Sequence, residues 1–241
     1  MHIYVYKDAD EVCNALAKWI AALIDKTLEV KEIFTLVLSG GETPKKLYQI
    51  LSSSPYNEKI KWHRVHIFWG DERGVPFDDD SNNAKMAFDN LIDKVTIKHE
   101  QVHKIRTDIE PNKSAKQYEK ILHQYFDNNT GTFDLVLLGM GDDGHTLSLF
   151  PGNDVLNNET DWVRAVTIKD KGERITLLPP VVNRSGAVAF LVTGRNKAKV
   201  LAEIISNPAY QKYPAQLIQP ANGELYWFID EEAATEMQEI M

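Results

Sequence analysis

Near-continuous apolar runs recur along this chain, at Phe34–Leu38, Val65–Trp69, Ala187–Val192 and over 133–138. Each is short, and none alternates cleanly between apolar and polar positions. Strands of that kind are buried on both faces, which is the habit of parallel sheets in α/β folds. The intervening segments carry helical spacing. Val12, Leu16, Trp19, Ile20 and Leu23 share one face of a helix that starts near Asp10. Thr43 before Pro44 fits an N-cap followed by the first helical position. Ser114-Ala115-Lys116-Gln117 reads as a capping box opening a helix that runs to about Phe126, and another helix is expected over 196–205. Further strands are expected at His2–Tyr6 and over 162–166, 174–177 and 225–229. The alternation predicts one Rossmann-like α/β domain over 1–241, a mostly parallel sheet flanked by helices on both faces.

With 241 residues, of which 43% are apolar, the chain can bury a core without staples. Cys13 is the one cysteine, which excludes an internal disulfide and a cysteine-rich zinc site. Twenty-seven basic against 35 acidic residues give a net charge of −8. That argues against a nucleic-acid binder reliant on overall positive charge, but leaves room for a small anionic substrate held by a few local cations. No apolar run approaches the ~18 residues of a membrane span. The start, Met1-His2-Ile3-Tyr4-Val5-Tyr6-Lys7-Asp8, lacks the pattern of a signal peptide, so the expectation is a cytoplasmic protein without a membrane partner. Nothing in the pattern sets an oligomeric state.

In open parallel sheets, ligands bind at the carboxyl ends of the strands. Three predicted strand ends, at 39–43, 70–74 and 139–146, are polar and glycine-rich. In Ser39-Gly40-Gly41-Glu42-Thr43-Pro44 the glycines let backbone approach a ligand, and the helix that follows offers unpaired N–H groups to a phosphate. Lys45 and Lys46 sit where a cation opposes the helix dipole, a penalty that a bound anion would remove. An ordinary turn with solvated lysines would look the same. Asp71-Glu72-Arg73 puts a potential bidentate anion clamp, or a structural ion pair, after the next strand. Asp78, Asp80, Asn82 and Asp89 have the offsets of a calcium loop, but Asn83 stands where glycine is wanted and the loop ends in Asp. It reads as a solvated acidic loop. Gly139-Met140-Gly141-Asp142-Asp143-Gly144-His145 matches the glycine pattern of a dinucleotide site, yet Pro151-Gly152 cuts short the helix such a site needs, and Asp161 precedes its strand instead of ending one. His145 beside Asp142 and Asp143 has the makings of a carboxylate-oriented base, or of a loop histidine bonded to backbone. The other six histidines show no metal-ligand spacing. Gly194-Arg195-Asn196-Lys197 sets a lysine at a strand-to-helix junction.

Together with Phe68-Trp69-Gly70, Ser81-Asn82, Thr146-Leu147-Ser148-Leu149-Phe150-Pro151, Arg174-Ile175-Thr176-Leu177 and Pro214-Ala215-Gln216-Leu217, these segments resemble the 6-phosphogluconolactonase family, within the glucosamine-6-phosphate isomerase/deaminase superfamily. The pieces run in the expected order from about residue 34 to 230. The deaminase branch resembles D-G-H-x-A-F-N-E-P, with a glutamate five residues after the histidine. Here that position is Phe150, and Arg73 stands where deaminases tend to have an aromatic, so the resemblance favours the lactonases. A departure from the lactonase pattern is Leu178-Pro179-Pro180, where a more polar run is expected.

The resemblance implies hydrolysis of 6-phosphoglucono-δ-lactone to 6-phosphogluconate in the pentose phosphate pathway, with no metal and no organic cofactor. His145 would be the general base, oriented by Asp143 or by Asp142. Asp71 would belong to the catalytic site with no assigned role. Arg73 and Lys197 would hold the phosphorylated substrate, aided by Ser39, Gly40, Gly41 and Thr43. Backbone N–H groups near Gly144 are expected to stabilise the oxyanion. The alternatives are a glucosamine-6-phosphate deaminase/isomerase and a non-catalytic sugar-phosphate sensor.

Overall fold

The computed structural model describes residues 1–127, 130–208 and 212–237. Its chain runs β1 (His2–Tyr6), α1 (Ala9–Leu28), β2 (Phe34–Leu38), α2 (Glu42–Leu51), α3 (Tyr56–Lys59), β3 (Val65–Trp69), β4 (Asp71–Arg73), α4 (Asn83–Asn90), β5 (Val102–His103) and α5 (Pro111–Phe126). It continues with β6 (Leu135–Leu138), β7 (Val163–Ile168), β8 (Gly172–Leu177), α6 (Pro179–Val182), β9 (Ala187–Val192), α7 (Ala198–Ser206) and β10 (Glu224–Asp230).

Seven strands form one sheet in the order β1-β10-β9-β6-β2-β3-β5, parallel at every pairing. Every residue of β2, β6 and β9 is buried, as their near-continuous apolar runs require. α1 buries Val12, Leu16 and Ile20 and leaves its polar face to water. β2 and β6 are neighbours whose chains leave in opposite directions, to β3 on one side and to β9 on the other. Such a divergence opens a crevice at the carboxyl edge.

Several expectations are refined. The runs over 162–166 and 174–177 are strands but lie outside the parallel sheet. They are parts of β7 and β8, which form with β4 a separate antiparallel sheet in the order β4-β8-β7. α2 is capped by Gly41, at φ 111°, and not by Thr43, which falls in its first turn. α5 starts at Pro111 with the Glu110 carboxylate accepting the N–H groups of Asn112 and Lys113, while the Ser114 hydroxyl donates to the Arg106 carbonyl at 2.5 Å. β6 starts at Leu135, and the Asp134 carboxylate just before it accepts the Thr35 N–H at 2.8 Å. A single helical turn, Arg195–Lys197, precedes α7.

Candidate active site

A cleft of about 330 Å³ opens where β2, β6 and β9 end, with β4 along one side. Ser39, Gly40, Gly41 and Thr43 enter it from the end of β2 and the start of α2. Asp71 and Arg73 enter from β4, His145 from the loop after β6, and Lys197 from the turn after β9. Asp143 stands behind His145 instead of lining the cleft.

Each wall is fixed by local chemistry. The buried Tyr48 hydroxyl donates to the Ser39 carbonyl at 2.7 Å and accepts the Ser39 N–H at 2.9 Å, pinning the backbone where β2 ends. Tyr118 does the same to Trp69 at the end of β3, at 3.0 and 2.8 Å. No side chain caps α2, so its first-turn N–H groups, which sit at the cleft, keep their capacity for an acceptor. Thr43 and Thr193 hydroxyls meet at 3.1 Å and tie α2 to the end of β9. The buried carboxylate of Asp230 accepts the Gly194 N–H at 3.0 Å and the Ala233 N–H at 2.8 Å. It thereby anchors the turn that presents Lys197.

His145 is the centre of the loop after β6. Its Nδ1 lies 2.5 Å from Asp143 Oδ1, which also accepts the His145 backbone N–H at 3.0 Å. Burial opposes ionisation of Asp143, but the two hydrogen bonds from His145 and the nearby imidazole outweigh it and hold the carboxyl below its usual range. Of the two candidate carboxylates, Asp143 is the one that reaches the ring. With Nδ1 as the donor to Asp143, Nε2 is the acceptor atom of the neutral ring. Leu147 takes the left-handed conformation at φ 56°. The turn it makes lets the Thr146 hydroxyl donate back to the Gly139 carbonyl at 2.8 Å. It also brings the buried Ser148 hydroxyl 2.6 Å from Asp71 Oδ2.

Glu72, between the two cleft residues of β4, is wholly buried and accepts backbone N–H groups from Arg73, Asn83 and Ala84, each at 2.8 Å. Burial pushes its carboxyl up to about 7, against those donors. Arg73 spends one N–H on the Ser81 carbonyl and is paired in register across the strands with Arg174.

Three expectations are revised here. Lys45 and Lys46 do not line the cleft; they pair with Glu42 and Asp10. The Gly144 N–H is spent on the Gly141 carbonyl at 3.1 Å, so it is not an oxyanion donor. Part of the presumed acidic loop is α4, whose Asn83 lines the cleft and donates to the Asp71 carbonyl at 3.1 Å. Asn83, Thr193 and Ser148 received no site role from the sequence, although Thr193 directly precedes Gly194 after β9.

A family model described as glucosamine-6-phosphate isomerases/6-phosphogluconolactonase matches residues 7–227. The chain is 40% identical over 223 residues to the 6-phosphogluconolactonase of Nostoc sp., covering 90% of each. Among solved structures, the 6-phosphogluconolactonase of Thermotoga maritima superposes with a TM-score of 0.83 at 30% identity, covering 95% of this chain and 99% of that one. The 6-phosphogluconolactonase of Trypanosoma brucei superposes with a TM-score of 0.84 at 28% identity, covering 97% of each.

Proposed function

The chain belongs to the glucosamine-6-phosphate isomerase/6-phosphogluconolactonase family, and from that premise we infer that it hydrolyses 6-phosphoglucono-δ-lactone to 6-phosphogluconate. It is a hydrolase of sugar-phosphate metabolism, acting in the pentose phosphate pathway. The observation that carries the mechanism is the Asp143–His145 pair at the rim of a cleft that also holds Lys197, Arg73 and the uncapped start of α2.

In the reaction we propose, Nε2 of His145 takes a proton from water as the water oxygen attacks the lactone carbonyl. The tetrahedral intermediate then collapses. The ring C–O bond breaks, and the imidazolium returns the proton to the departing ring oxygen. Asp143 keeps Nδ1–H as the donor and stabilises the transient imidazolium. Lys197, Arg73, the 39–41 backbone and Thr43 take the phosphorylated end, where helix-start N–H groups suit a dianion. Asp71, held by Ser148 and Asn83, is an acceptor on the sugar side. No metal or organic cofactor enters these steps.

The unit that does this is read as a single α/β domain over 1–241, placed in the cytoplasm with a phosphorylated sugar lactone as its partner. The net charge of −8 disfavours nucleic acid. Among the described residues, no helix is long and apolar enough to cross a membrane.

The test is turnover of freshly generated phospholactone, corrected for spontaneous hydrolysis. His145→Ala is expected to lose at least about 100-fold in kcat with folding intact. Near-normal turnover in that variant removes His145 from the role. Ammonia release from glucosamine 6-phosphate moves the chain to the deaminase branch, and binding without turnover makes it a sensor.

A further inference from the structure

We propose that Phe150 is a positioning residue for His145, and that Lys171, at the tip of the β7–β8 hairpin, holds Phe150 in place. The Phe150 ring stacks on the imidazole with centroids 4.1 Å apart and planes 21° from parallel. The Lys171 ammonium lies 4.7 Å from the centroid of that same phenyl ring. The phenyl ring is therefore shared by the imidazole at the cleft and the ammonium at the hairpin.

The need for such a support follows from the geometry of the base. Asp143 fixes one atom of the imidazole, Nδ1. A hydrogen bond to one ring atom tolerates tilt of the ring about that contact, and tilt moves Nε2, the atom on the far side, the most. A flat apolar surface against the ring face removes that freedom. The phenyl face also carries no N–H or O–H that could compete with water for the Nε2 lone pair. The loop is folded to deliver this surface. Leu147 at φ 56° and the bridge between Thr146 and Leu149 turn the chain back. Phe150, five residues after His145, consequently returns over it.

The hairpin supplies the outer support. Its turn is built on two left-handed residues, Asp170 at φ 62° and Gly172 at φ 75°, with the Lys171 N–H closing on the Ile168 carbonyl at 3.0 Å. Lys171 is thus held at the tip rather than free on a long loop, and an ammonium over an aromatic face is attractive. β8 is also the strand that pairs with β4, which carries Asp71 and Arg73. The small sheet therefore contributes to both substrate grip and base alignment.

This inference rests on the lactonase reading for its kinetic arm, and the spectroscopic arm stands without it. Phe150→Leu keeps apolar bulk but loses the flat face. It is expected to lower kcat about 10- to 100-fold, the scale of a modest misplacement of a reacting group, with KM unchanged. The His145 ring-nitrogen resonances are expected to move from one tautomer to a mixture. Phe150→Tyr keeps the face and is expected to retain wild-type kcat and the single tautomer. Lys171→Met, an exposed change, is expected to give a smaller kcat loss with the same direction of spectral change. Wild-type kcat and an unaltered ring spectrum in Phe150→Leu overturn the proposal, as does a Phe150→Tyr variant that fails like the leucine. If Phe150→Leu does not fold, Lys171→Met and Phe150→Tyr decide by the same two readouts. A wild-type protein that does not turn over lactone sinks the enzymatic reading, while the ring spectra still judge the stack.

Discussion

A methyl group added at position 141 would lie 2.0 Å from Nδ1 of His145 and 2.6 Å from Oδ1 of Asp143. Gly141 is therefore the space in which His145 and Asp143 meet. Gly141→Ala is expected to break that pair and lose at least about 100-fold in kcat, at a stability cost of about 1–3 kcal/mol for overpacking. Steady-state kinetics beside a urea titration checks both numbers. The strand-end glycines made this part of the site visible in the sequence, because a glycine at such a place marks where backbone or ligand comes close. Other residues left no such trace. Tyr48 and Tyr118 look like core aromatics by spacing, and they are buried; spacing cannot tell that each hydroxyl bridges the N–H and C=O of one residue at a strand end. Ser148 is six residues beyond Asp142 in sequence, and only the left-handed Leu147 turns it under Asp71.

Among the elements, strands buried on both faces were readable, and two strands of the small sheet were expected as strands but without their antiparallel partners. β7 and β8 have mixed burial along their lengths, which belongs to an antiparallel ribbon with one covered face. Lys169-Asp170-Lys171-Gly172 between them is a turn signal for a hairpin. Helix starts were misplaced by a few residues because the side chains that cap them, Asp8 and Glu110, lie before the apolar periodicity begins. Where β3, β5 and α5 meet, the Tyr125 hydroxyl lies 2.8 Å from His66 Nδ1 and 2.8 Å from His103 Nε2. Burial, with His66 adding, lowers His103 from 6.5 to about 4. The unfolded chain then takes up this proton first as pH falls, so folded stability is lost between about pH 6.5 and about pH 4. His103→Phe is expected to flatten that acid limb while leaving the Tyr125–His66 contact. Urea midpoints at about pH 7 and about pH 5 measure it. An equal acid loss in the variant would place the sensitivity elsewhere.

At the scale of the molecule, the parallel sheet and its crevice were legible because three of its strand ends, with the glycine-rich sequence after them, carry the cleft. The cleft draws on α2, β4, the loop after β6 and the turn after β9, so an occupant links segments far apart in the chain. A product that binds only the folded state raises its stability by about 2.7 kcal/mol at 100 times its Kd. 6-Phosphogluconate is expected to raise Tm accordingly, and Lys197→Ala to require a higher concentration for the same rise. Thermal melts across a titration check this; equal titrations in both proteins would remove Lys197 from the anion's hold. Gly70 joins the two sheets: its N–H donates to the Leu38 carbonyl at 3.0 Å and its carbonyl accepts the Leu177 N–H at 2.8 Å. A single residue bonded into both ladders fastens the small sheet to the parallel sheet at that corner. The placement of Asp71 and Arg73 relative to the end of β2 is therefore tied through main-chain bonds rather than through side chains alone.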